Sequence, residues 1–326
     1  INMHRLSLLR RAIALCFFYH ALQTRGVRFF HTIQEENDSL AKDLVHGPAK
    51  QIRKSLKSNS TEVITSGQGS SLWDDPYFVA HLTHSGGPND NYYGLHATMD
   101  VYGHELKHGQ LSSTTFWINH AGDGKKSSYN AIQVGWHINP NRYGDSHPHF
   151  YTRWTRDNYD ATGCYNMDCP GYIRVDGAVI APGDAIHPVS NIPDGPRQSI
   201  TLRVLKDKKS GDWWVYYGFN KSPTGVGYFP RSFFSYLAEK ADGMQFGAFV
   251  QAKKALPTPP MGSGALPNGG KGRAASFTNI RFIDQDGNSI PIKEDLPMFV
   301  TDRKCHAITH TDHSACFYGG PGGCMR

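Results

Sequence analysis

Between positions 95 and 101, apolar residues fill every second place: Leu95, Ala97, Met99 and Val101, with His96, Thr98 and Asp100 between them. A two-residue period sends one set of side chains to each face of a strand, whereas a helix would scatter the same residues around its axis. Further short runs of this kind follow at 115–119, 131–138, 150–154, 172–175, 199–205, 213–219, 244–251 and 277–283. Turn signals separate them, among them Asp123-Gly124, Asp176-Gly177, Ser210-Gly211-Asp212 and Asp286-Gly287. Only Pro230 to Lys240 has a helical pattern, with Phe233, Phe234, Leu237 and Ala238 on one face. Many short strands, 34 Gly and 19 Pro predict an all-β chain: an antiparallel β-sandwich of two sheets with one short helix.

The N-terminal part reads differently. Arg5, Arg10 and Arg11 precede the apolar run Ala12 to Tyr19, which is far short of the roughly 20 residues that span a bilayer. A basic region followed by a short apolar one predicts a signal peptide over residues 1–26, and no later run is long enough to cross a membrane. Residues 27–89 form a polar leader containing Lys54 to Thr61 and Ser66 to Ser71, and residues 90–326 form the sandwich. Secretion suits the cysteines, since Cys164 and Cys169 close a small loop as a disulfide clip would, with a zinc site as the weaker alternative. Cys305 can reach Cys316 or Cys324, leaving one thiol over. Sequons at Asn37, Asn59 and Asn220 fit an extracellular glycoprotein. The net charge of +6 lacks a Lys/Arg cluster interleaved with aromatics beyond residue 30, so nucleic acid is not an expected partner.

Familiar catalytic motifs fail on context. His104-Glu105-Leu106-Lys107-His108 spells a zinc-protease motif, but two His at i and i+4 meet one metal only on a helix, and the local pattern is strand-like. On a strand they would stand about 13 Å apart. Gly262 to Lys271 imitates a phosphate loop, yet Gly272 stands where Ser or Thr should hold magnesium. No G-x-S-x-G nucleophile elbow exists, and neither a metal nor a cofactor is expected.

The segments Ala131-Ile-Gln-Val-Gly-Trp-His-Ile-Asn-Pro140, Tyr143-Gly-Asp145, Trp154-Thr155, Thr162-Gly-Cys-Tyr-Asn166 and Cys169-Pro-Gly171 together closely resemble the neprosin family of secreted plant prolyl-cleaving peptidases. Further matches follow in family order: Gly211 to Trp214, Gly227 to Pro230, Met244 to Gly247, Met261 to Gly264, Ala275 to Asn279 and Tyr318 to Gly322. The resemblance covers approximately residues 90–326 and implies a secreted two-sheet β-sandwich preceded by an activation segment, here truncated. It also implies the disulfides Cys164–Cys169 and Cys305–Cys324, with Cys316 as a departure.

Activity in that family is attributed to two glutamates that work on a water as general acid and base, which requires one ionised and one protonated group. The motifs put these acids at Gln133 and at Phe249, with Gln245 as the alternative for the second; none is an acid. The chain holds six Glu, of which Glu105, Glu239 and Glu294 alone lie in the matched region, and none falls on a cleft motif. A Gln133 amide can orient water or donate to an oxyanion, but Phe249 can do neither. The expectation is a degenerate peptidase whose cleft, with candidates Gln133, Trp136, Trp154, Tyr159 and Gln245, holds proline-containing peptides. An active acid prolyl endopeptidase using Asp, or a cleft binding cell-wall polysaccharide, are the alternatives.

Overall fold

The computed structural model describes residues 74–83, 91–191, 195–270, 272–293 and 295–325. The expected signal peptide, most of the leader with Asn37 and Asn59, and Glu294 lie outside these residues. Sixteen strands follow in order: β1 (Tyr77–Leu82), β2 (Gly94–Asp100), β3 (Gln110–His120), β4 (Asn130–Ile138), β5 (Pro148–Thr155), β6 (Cys164–Tyr165), β7 (Ile173–Arg174) and β8 (Ser199–Lys206). Then come β9 (Trp213–Phe219), β10 (Thr224–Phe229), β11 (Gly243–Ala252), β12 (Ala275–Ile283), β13 (Ser289–Pro291), β14 (Met298–Val300), β15 (Ala307–Ile308) and β16 (Cys316–Gly319). One sheet has seven strands in the order β14-β1-β11-β3-β4-β5-β6. The other has nine, β15-β16-β12-β2-β8-β9-β10-β7 with β13 also on β12, and neighbouring strands in both run antiparallel.

Alternation sets which face each residue takes. The even positions of β4, Ile132, Val134, Trp136 and Ile138, are fully buried, as are Phe116 and Ile118 of β3 and Met244, Phe246 and Ala248 of β11. From the other sheet Leu95, Ala97, Met99, Ile200, Leu202, Val204, Val215 and Phe277 complete the same core. Rings close the gap between the layers: Phe150 lies 5.2 Å from Tyr217, and Phe246 lies 5.4 Å from Phe277. Each such side chain contributes about 1.5–3 kcal/mol by leaving water. The nine strands expected from periodicity are all present, and β1 shows that the sheet also takes in residues 77–82, which the sequence reading placed in the leader.

Two features differ from expectation. Residues 230–240 form one 3-10 turn, Arg231–Phe233, followed by a bend and a turn closed by the Glu239 amide on the Tyr236 carbonyl, and the α-helical turn α1 (Pro140–Tyr143) lies elsewhere. The cause is Asn130 at the start of β4, whose Oδ1 accepts from the amides of Ser235 (3.1 Å), Tyr236 (2.9 Å) and Leu237 (3.2 Å). One side-chain oxygen thus takes the donors that a helix would have used internally. The strand expected at 172–175 shrinks to the two exposed residues of β7. Cys164 pairs with Cys169 and Cys305 with Cys324, while Cys316 is a buried free thiol.

Candidate functional site

On the seven-stranded sheet, the odd residues of β4 point away from the core. Register continues this outer face through the rung Leu82–Gln245–Trp117–Gln133–Arg153–Tyr165 and the next one, Ala80–Gly247–Thr115–Gly135–Tyr151. A third rung carries Phe78, Phe249, Ser113, His137 and His149. The middle rung is lined by small residues across four strands. Gly135 is required there because a Cβ would stand 2.2 Å from the Thr114 carbonyl, and at Gly247 one would stand 2.1 Å from the Val79 carbonyl. The small side chains of the middle rung separate the rung bearing Gln133 from the rung bearing Phe249, and this face is buried, with Gln133, Thr115, Tyr151, His137 and Phe249 at most 1% exposed.

Gln133 is held at both ends of its amide. Its Nε2 donates to the Tyr159 hydroxyl at 3.1 Å, and its Oε1 accepts from the Tyr151 hydroxyl at 3.4 Å. His137 stacks on Tyr151 at 4.0 Å, and its Nε2 bonds the Tyr143 hydroxyl at 2.8 Å. The Asn166 amide donates to that same hydroxyl. Burial, then the charges of Arg142, His149 and Arg153, hold His137 well below the ordinary histidine range, so its imidazole is neutral near pH 7. Burial pushes Tyr143 up to about 12 and raises Tyr151 and Tyr165 as well. The Arg153 guanidinium sits 3.9 Å from the Tyr159 ring centroid and 4.8 Å from that of Tyr165.

The expected second acid position is apolar in fact as well as in sequence. Phe249 packs 5.4 Å from Phe78 and 6.1 Å from Trp117, making an aromatic group on the outer face. Gln245 shares the Gln133 rung with Trp117 between them, so about 10 Å separates their backbones. Its Nε2 turns to Asn119 Oδ1 at 3.4 Å. Phe249 lies four residues further along β11, about 13 Å beyond that rung. With Gln at 245 and Phe at 249, neither position supplies an acid to pair with Gln133.

Two cleft candidates belong to the core. Trp136 is fully buried on the inner face, with Nε1 donating to the Asp100 carbonyl at 3.0 Å, and Trp154 packs edge-on against Phe233 and Phe234. Both fall on even positions of their strands, and alternation alone separates them from Gln133. Tyr159 does reach Gln133. The sequence reading missed His137, Tyr143, Tyr151, Arg153 and Tyr165; for the strand residues, the two-residue step from Gln133 was the available signal.

Candidate Asp residues are engaged elsewhere. Asp145 Oδ1 accepts from the His147 amide and bonds His149 Nε2 at 3.0 Å. Asp157 holds the 155–162 loop through Thr155, Ala161 and Thr162. Among the described residues no carboxylate bonds Gln133, and no group of three or more metal-ligating side chains gathers. His104 of the zinc-protease-like motif bonds the Gly262 carbonyl at 2.8 Å, in an irregular segment with no helix.

The neprosin family profile matches residues 108–321, which include every rung of this outer face on β3, β4, β5 and β11. The chain belongs to the neprosin family. Its neprosin domain has low-identity likenesses among solved structures. Scytalido-glutamic peptidase with a transition state analog inhibitor is 10% identical, with 75% of this chain and 98% of that chain covered and a TM-score of 0.38. SCP-B, a member of the Eqolisin family of peptidases in complex with the tripeptide Ala-Ile-His, is 10% identical at the same coverage with a TM-score of 0.36.

Proposed function

We propose that this neprosin-family protein is secreted and binds peptide along the outer face of its seven-stranded sheet without hydrolysing it. The observation that carries this reading is the state of Gln133: a neutral amide held by two tyrosine hydroxyls, with no carboxylate beside it among the described residues. Water activation needs a good base; burial leaves His137 a weak one, His149 is already bonded to Asp145 and the Gly183 carbonyl, and the remaining groups are raised phenols and permanently charged guanidinia. Gly135 and Gly247 place no side chain on the middle rung, where a bound extended backbone would approach the sheet most closely. Two disulfides support an oxidising compartment, with residues 1–26 acting as the export signal and Asn220, exposed after β9, as a glycan acceptor.

The test pairs turnover with binding. Proline-containing peptides are incubated with the chain between about pH 2.5 and 6, and binding is followed by calorimetry. Saturable binding with no cleavage is expected. Cleavage that vanishes in Gln133→Ala overturns the proposal in favour of an acid peptidase with an unconventional acid. Polysaccharide binding loses two of its expected residues, because Trp136 and Trp154 are core. Retention on pectin or cellulose in place of peptide binding would restore it.

A further inference from the structure

Arg153 is a buried cation on the outer face of the seven-stranded sheet. It is only 3% exposed, and its Nη1 is buried without a hydrogen-bond partner. It lies against the faces of Tyr159 and Tyr165, at 3.9 and 4.8 Å, and no acid pairs with it among the described residues. Ring faces steady a guanidinium but cannot accept its in-plane N–H groups. The Tyr165 hydroxyl is likewise buried and unpartnered. Arg142 lies 4.5 Å over the same Tyr165 ring; it pairs with the half-exposed Asp168, while its Nε also lacks an acceptor. Two guanidinia therefore flank the Tyr165 ring with one carboxylate between them, and that one is half-exposed to solvent.

An uncompensated buried charge is costly, and removing one partner of a buried pair typically loses several kcal/mol, so an anion that reached Arg153 would be strongly favoured. We propose that Arg153, with the Tyr165 hydroxyl, is a carboxylate-binding subsite that anchors an acidic group of the bound peptide next to Gln133. The planar fork of arginine matches a carboxylate, and the two aromatic faces fix its plane in advance. Register explains the placement: Gln133 and Arg153 are direct partners across β4 and β5. An acid at 133 would have neutralised Arg153 from within; an amide there leaves the charge to be met by a ligand. The subsite rests on the peptide-binding reading and adds which chemical group is recognised.

Calorimetry on the full chain uses three forms of one proline-containing pentapeptide: free C-terminal acid, C-terminal amide, and the amide carrying an internal Glu. The free acid, the Glu form or both should bind about tenfold more tightly than the plain amide, and which one does so identifies the source of the carboxylate. Arg153→Gln should equalise all three. If that variant fails to fold, Gln133→Glu supplies an internal carboxylate and should equalise them by competition. Equal binding of the three peptides to the unchanged protein overturns the subsite while leaving peptide binding intact. Absence of binding by any of them overturns the peptide reading itself.

Discussion

Gln133 and Arg153 face each other on one rung of the seven-stranded sheet, yet the amide is bonded to tyrosines and the guanidinium to no acid among the described residues. Gln133→Glu should therefore be accepted as an ion pair. Its folded carboxyl would be held below the usual glutamate value by Arg153, so its stabilising contribution is present above about pH 4.3 and is lost as pH falls through the lower folded value. Denaturant melts at pH 7 should show the variant at least as stable as the parent, with the advantage gone near pH 3. A variant several kcal/mol weaker at pH 7 would mean the rung does not bring the two charges together.

Acid should weaken the fold through its buried histidines. His306 is fully buried beside Tyr77, neither ring nitrogen has a partner, and burial brings it down to about 4. The unfolded chain takes up this proton near pH 6.5 and the folded chain only near 4, so stability present above 6.5 declines across that window. The loss is at most roughly 3 kcal/mol for this residue. His306→Leu should flatten the pH dependence of the denaturation midpoint between those limits; an unchanged slope assigns the effect elsewhere.

Asn130→Ala should cost about 2–4 kcal/mol, because one change removes the acceptor of three backbone amides. Hydrogen exchange localises the effect: Tyr236 and Leu237 amides should exchange faster while the middle of β4 stays protected. Asn130→Asp retains an acceptor and should preserve their protection.

Asp100 sits inside the sandwich, accepting from the Ser276 amide and hydroxyl and pairing with Arg197 at 3.1 Å. Burial raises its pKa against the opposing pull of Arg197. Arg197→Ala leaves a buried carboxylate uncompensated and should lose about 3–5 kcal/mol at pH 7. The raised pKa means protonation favours the fold, so the deficit should shrink as pH falls toward 4. A deficit independent of pH would show that Arg197 acts by packing alone.

Alternation made much of this protein legible. Leu95 to Val101 announced β2, and the even residues of β4 announced the core, because a two-residue period has one physical meaning. It also separates Trp136 and Trp154 from Gln133, a distinction that residue type obscured. Asn130 could not be foreseen as the reason 230–240 is not helical, since its acceptor acts across more than a hundred residues. The arginine–tyrosine group had the same cause of concealment: register alone sets Arg153 beside Tyr165 on one rung, and Tyr159 reaches them from a loop. The absence of Glu at 133, 245 and 249 was legible in the sequence, whereas the unmatched arginine beside Gln133 was not.

The strand order carries a consequence for how the chain is made. β1 is completed by β11 and β14, and β2 lies between β8 and β12, so each sheet joins early strands to late ones. Neither sheet can close while its last strands are still being synthesised, and contacts of such long sequence separation form slowly. The upstream strands must wait as unpaired edges, open to association with other chains. Its vulnerable period is therefore biosynthesis, and yield in a cell should depend on chaperone supply more than on the stability of the finished sandwich.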